Sequence, residues 1–235
     1  MRWLKFCIAI LLLPACVAAT LTAWQLGHTL LFEARAISAL AFCAGYGLWL
    51  LVFAFLPKPM RTYVLGHELT HALWALMMGA RVSGLKVKST GGQVRTSKTN
   101  WFITLAPYFF PFYAMLFIVA FFITHAIWNL AAYRWILFFL VGLGWSFHVT
   151  FTLMMLLSVR QPDVRSQGVV FSIAVIYLMN LLAITVTATA LSPALTFATL
   201  ARTIGSDLVA CYGWALDKVI ALWHYAAAFI RQRNR

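Results

Sequence analysis

The chain has 235 residues, 63% of them hydrophobic and 10% charged, with a mean hydropathy of +0.88; a soluble domain carries about 25% charged residues. A soluble globular protein is thereby excluded. Eighteen Lys and Arg against five acids give a net charge of +13, but the basic residues are scattered singly between apolar runs and form no stripe, which argues against nucleic acid as a partner.

Runs without Asp, Glu, Lys or Arg cover residues 6–32, 36–57, 99–133, 135–159 and 166–201. Each exceeds the roughly 18–20 residues a helix needs to cross a bilayer. The run 69–80 is shorter, but a helix of about 19 residues begun near Arg61 carries His67, Glu68 and His71 into the membrane. No segment has the alternating pattern of a barrel strand. The expectation is an all-α polytopic membrane protein with about six transmembrane helices.

In chain order, Arg2 and Lys5 precede the first run, and Leu13-Pro14-Ala15-Cys16 has the flavour of a lipoprotein cleavage site. The run continues uncharged to Phe32, too long for a signal segment, and is read as an uncleaved span. Cys7, Cys16, Cys43 and Cys211 have no paired spacing and are read as packing residues. Arg2 and Lys5 inside, Glu33 and Arg35 outside, and Lys58 and Arg61 inside satisfy the positive-inside rule for two helices. Arg81, Lys86, Lys88, Arg95 and Lys98 then fall on the wrong side. Either the third helix does not fully cross, or the segment Ser89-Thr90-Gly91-Gly92-Gln93-Val94 dips back as a hairpin buried against protein. From about Pro193, Asp217, His224 and Arg231 recur every seven residues among Trp214, Leu222, Trp223 and Phe229, the pattern of an amphipathic helix lying in the membrane interface. Three segments result: 1–60 with two helices, a core over 61–192, and a tail over 193–235.

The core contains Gly66-His67-Glu68-Leu69-Thr70-His71-Ala72. On a helix the two histidines stand one turn apart on one face, so two imidazoles can bind one zinc ion while the glutamate leans toward the metal's water. With six His and two Glu in the chain, chance would produce this pattern in roughly one such chain in a thousand. A carboxylate at the bilayer centre costs about 2.5–3.5 kcal/mol, so Glu68 reads as functional; the bland alternative is a polar cluster that serves as packing glue between helices.

A catalytic zinc takes three protein ligands and an open position. No glutamate follows Glu68, and no third histidine lies within the next eight residues, Ala72 to Gly79. Asp207, Asp217 and His224 belong to the tail, His125 to a helix end and Glu33 to a turn. Two candidates survive. His148 lies midway along the 135–159 run, where its ordinary role is that of a hydrogen-bonded core histidine. Asp163 lies between the fifth and sixth helices, where its ordinary role is a cap of the sixth helix or a partner of Arg160 and Arg165.

Gly66-His67-Glu68-Leu69-Thr70-His71-Ala72-Leu73, with Gly79, Gly91-Gly92-Gln93-Val94, Ala106-Pro107-Tyr108-Phe109-Phe110-Pro111 and Gln161-Pro162-Asp163, resembles the bacterial branch of the site-2 protease family of intramembrane zinc metallopeptidases. The resemblance covers roughly residues 61–180. It implies His67, His71 and Asp163 as zinc ligands and Glu68 as catalytic base, with His148 then an outer residue or a substrate contact. One departure is that Asp163 is followed by Val164-Arg165 where the family has Asp-Gly. The expected activity is zinc-dependent hydrolysis of peptide bonds in membrane-spanning or membrane-proximal substrates, in a bacterial inner membrane. Gly91–Gln93 is then a strand that clamps unwound substrate by edge pairing, or simply a solvated turn. The rival class is a non-catalytic membrane protein, a metal carrier or a degenerate scaffold of the same family; a carrier should show paired polar sites in two related halves, and the sequence has one cluster.

Overall fold

The computed structural model describes residues 2–33, 36–158, 161–192 and 194–233. Arg35, Arg160 and Pro193, used in the sequence reading, lie outside the described residues, as does the side chain of Glu33. The elements are α1 (Arg2–Glu33), α2 (Ala36–Phe55), α3 (Met60–Met77), a hairpin of β1 (Val82–Lys88) and β2 (Gly91–Thr96), α4 (Trp101–Leu105), α5 (Phe112–Ile127), α6 (Arg134–Ser158), α7 (Pro162–Gln167), α8 (Val169–Leu191) and α9 (Phe197–Arg233). Among the described residues, four helical stretches are long and apolar enough to cross a membrane: Trp3–Thr29, Ile37–Phe55, Ala131–Ser158 and Val169–Leu191. The protein is a predominantly helical membrane protein, and the hairpin is its one sheet among the described residues.

The apolar stretch 99–133 does not form one straight helix. Residues Trp101–Tyr108 and Phe112–Ile127 meet at 83°, and counting them together as one span raises the total to five. Pro111 causes the break: it lacks an N–H and stands at the N-terminal end of α5 with φ −77 and ψ 74, outside helical geometry. α3 is not among the spans that length and apolar composition define, because Arg61, His67, Glu68 and His71 interrupt it.

α3 ends in a Schellman turn. Gly79 takes φ +72, its N–H donates to the Leu76 carbonyl at 3.0 Å, and Ala80 N–H donates to the Ala75 carbonyl at 2.8 Å. The chain then folds back. β1 and β2 pair antiparallel from Val82↔Thr96 to Lys88↔Gly91, with a bulge at Gly84 (φ +71). Both basic flanks of the segment 81–98 therefore belong to one hairpin, which packs against α3: Val87 joins the cluster of Tyr63, Val64 and Trp49.

Two helix pairs frame this core. α2 and α6 run parallel, with Trp49 Nε1 donating to Thr150 Oγ1 at 2.8 Å and Phe53 packing on Phe151. α1 and α8 also run parallel, joined by Lys5 to Gln167 at 2.5 Å and Thr20 to Tyr177 at 2.8 Å. The tail is one continuous helix of 37 residues. Its first half lies antiparallel along α1, where Thr22 Oγ1 donates to Asp207 Oδ2 at 2.7 Å and Tyr212 OH to the Leu11 carbonyl at 2.7 Å. Its second half leaves Trp214, Leu222, Trp223 and Phe229 exposed.

Candidate metal centre

His67 and His71 stand one turn apart on α3, and α7 brings Asp163 between them. Asp163 Oδ2 lies 3.5 Å from His67 Nε2 and 3.6 Å from His71 Nε2. One ligand atom from each residue lies within 4.8 Å of the others, so the three could hold a metal ion, and among the described residues they are the one such group. A tetrahedral site with bonds of about 2.0–2.2 Å sets its ligand atoms about 3.3–3.6 Å apart. The two histidine–aspartate separations match that spacing.

The chain prepares each donor from behind. His71 Nδ1 lies 2.8 Å from the Ile103 carbonyl, which only an N–H can satisfy; this puts a proton on Nδ1 and turns Nε2 toward Asp163. α4 holds that carbonyl in place, because Asn100 caps it through Ile103 N–H at 2.9 Å. His67 Nδ1 is likewise 3.3 Å from Tyr63 OH. Asp163 Oδ2 accepts from Tyr108 OH at 3.1 Å. In the connection between α6 and α8, burial opposes the charge on Asp163, but hydrogen bonding and Coulombic attraction from His67 and His71 outweigh it and hold the carboxyl below the usual carboxylate range. Asp163 is not a cap of α8, which begins after Gly168 at φ +95.

Glu68 is 7% exposed. β2 lies against it: a Cβ at Gly92 would come within 2.8 Å of Glu68 Oε1 and 2.7 Å of Val64 Cγ1, and the Val94 backbone N–H faces the carboxylate. Only glycine allows this approach of strand to side chain. The Gly91–Val94 segment is thus a strand packed on the motif helix, and the solvated-turn alternative does not hold.

His148 stands apart from the trio. Asn180 donates both amide protons to backbone, to the Tyr108 and Ile176 carbonyls at 2.8 Å each, so its Oδ1 must accept from His148 Nε2, 3.0 Å away. That nitrogen carries a proton and has no lone pair for a metal. His148 instead shares with His67, Gly66, Pro107, Tyr113 and Phe147 a water-sized cleft of about 20 Å³. Sequence reasoning passed over Asn180, Tyr63 and the Ile103 carbonyl. Asn180 had a signal, being the one amide side chain in the apolar helix α8; a backbone carbonyl has none.

Fold and site together define a helical membrane protein with a two-histidine, one-aspartate group able to hold a metal ion. Comparison with family models, characterised proteins and solved structures finds no match to this chain.

Proposed function

We propose that the protein is an intramembrane zinc metallopeptidase that cleaves peptide bonds of membrane-spanning or membrane-proximal substrates. The observation that carries this reading is the meeting of His67, His71 and Asp163 within 4.8 Å of one another, with both histidine–aspartate separations at tetrahedral spacing and Glu68 next to a candidate ligand in the same helix. The donor set suits zinc: two imidazoles and one carboxylate make three protein ligands and leave a position open, as in catalytic sites. A zinc ion held by His67, His71 and Asp163 would supply Lewis-acid chemistry, activating a water and polarising the scissile carbonyl. Glu68 takes the water's proton and returns it to the departing amine. Tyr63 and the Ile103 carbonyl hold His67 and His71 in orientation from their Nδ1 side. β2 offers a strand beside the site, and an unwound substrate segment pairs along its edge. The host membrane is a bacterial inner membrane, in keeping with the short basic loops, and α3 enters the bilayer against the bundle as a sixth, polar helix.

The test is purification in detergent, measurement of zinc per chain, and cleavage of a panel of single-span substrates by the wild type and Glu68→Gln. The expected result is one zinc per chain in both proteins and a loss of cleavage of about 10²–10⁴-fold in the variant. Zinc in both with no cleavage dependent on Glu68 would instead favour a carrier or scaffold.

A further inference from the structure

A chain of polar groups runs from the middle of α8 to the ligand carboxylate, and the reaction itself does not use it. Asn180 is surrounded along α8 by Val, Ile, Leu, Met and Ala, a setting in which an unpaired amide is costly. Every amide hydrogen it has is spent on a carbonyl, and one of those carbonyls is Tyr108's. Tyr108 is fully buried. Its ring meets the His67 ring edge to face at a centroid distance of 5.2 Å, and its hydroxyl donates to Asp163 Oδ2, the same oxygen that faces both histidines. A second acceptor, Gln161 Oε1, lies 3.1 Å from that hydroxyl, so one proton is shared between the two residues that flank Pro162.

We propose that Tyr108 and Asn180 are positioning residues of the metal centre: Asn180 pins the Tyr108 backbone to α8, and the Tyr108 hydroxyl sets the Asp163 carboxylate in the orientation that meets His67 and His71. The physical reason is the length of the lever. Asp163 comes from a six-residue helix between Gln161 and Gly168, too short to fix a carboxylate by its own packing. α3 is fixed independently by the hairpin and the Ile103 carbonyl. The two halves of the ligand set need a common reference, and Tyr108 touches both. His148 closes the far end of the chain by using the remaining acceptor of Asn180, which keeps the amide from flipping its donors away from Tyr108.

The inference rests on the metal site of the proposed function, but not on peptidase activity. The test uses the full chain in detergent, with Tyr108→Phe, Asn180→Asp and, as a control in the α2–α6 contact, Thr150→Val. Affinity for Zn²⁺, the ligand-field spectrum with Co²⁺ and the Tm of the metal-free protein are measured. Tyr108→Phe keeps the ring and removes only the hydroxyl; the expected loss of Zn²⁺ affinity is about 10–100-fold, with an altered Co²⁺ spectrum and a metal-free Tm like that of the wild type. Asn180→Asp keeps the acceptor for His148 and removes the donor to Tyr108, and should move affinity and spectrum in the same direction. Thr150→Val should change neither. Wild-type affinity and spectrum in Tyr108→Phe overturn the inference while leaving the metal site standing, as does a loss of affinity matched by Thr150→Val. Absence of metal binding in the wild type overturns both. If Asn180→Asp does not fold, Tyr108→Phe still decides the matter.

Discussion

The α2–α6 pair and the α3–α7 region sit side by side and are held by opposite means. α2 and α6 approach backbone to backbone. Cβ atoms at Gly45 and Gly142 would collide with the carbonyl oxygens of Phe139 and Phe42 respectively, and Trp49, Phe53, Phe147 and Phe151 interlock below. In apolar surroundings, where association has no hydrophobic driving force, such close van der Waals packing over small residues is the main source of cohesion. α3 and α7 are joined by hydrogen bonds and polar contacts between segments distant in sequence: His71 to Ile103, Tyr108 to Asp163, Asp163 to both histidines. The first region tolerates no added atom, and the second tolerates no lost polar group. A scaffold made by shape can hold still while a site made by polar contacts binds and releases its ligand.

Five substitutions press on this contrast: four in decreasing order of effect, and His148→Ala as the one expected to spare the metal. Asp163→Ala removes the one candidate ligand that the described residues bring from outside α3 and should cost more metal affinity than the about 10–100-fold typical of losing an outer partner; metal titration reads it. His148→Ala should retain the metal, and its loss there would reinstate His148 as third ligand. Gly92→Ala pushes β2 and Glu68 apart. Because a misplacement of about 1 Å can cost on the order of 10²-fold in rate, cleavage should fall toward that extent at unchanged zinc content. Gly142→Ala forces a methyl against the Phe42 carbonyl and should destabilise the protein by about 1–3 kcal/mol, the usual cost of overpacking, seen as a lower Tm in detergent with the metal affinity of the folded fraction intact. Asp207→Ala strips Thr22 and Gln25 of their acceptor and should cost about 0.6 kcal/mol, the average for a hydrogen bond between helices in a membrane, with no change at the metal site. A shape substitution that abolished metal binding in fully folded protein, or a site substitution that unfolded the bundle, would erase the distinction.

Much of the site was legible from residue spacing. His67 and His71 needed only the helical period, and Glu68 stood out because charge is scarce in this chain. Spacing left Gly91–Gln93 open between a clamping strand and a solvated turn, and did not show that Gly92 would face Glu68, since that depends on how the Schellman turn at Gly79 aims the hairpin. The break at Pro111 was hidden by composition: residues 99–133 are uniformly free of charge, and hydropathy does not register direction. The tail read as an amphipathic stripe, yet its first half is engaged with α1 through Asp207 and Tyr212, contacts that periodicity does not encode.

The sequence by itself determined that this chain is a helical membrane protein and that two histidines and a glutamate share one turn of helix, because long uncharged runs and helical spacing are local properties. Only the tertiary structure showed that Asp163, and not His148, stands beside the two histidines. Both are polar residues near apolar helices, and each is defined by what it meets. Asn180 takes His148 as a donor, whereas α7 presents Asp163 to α3, where Tyr108 and two imidazoles hold its charge.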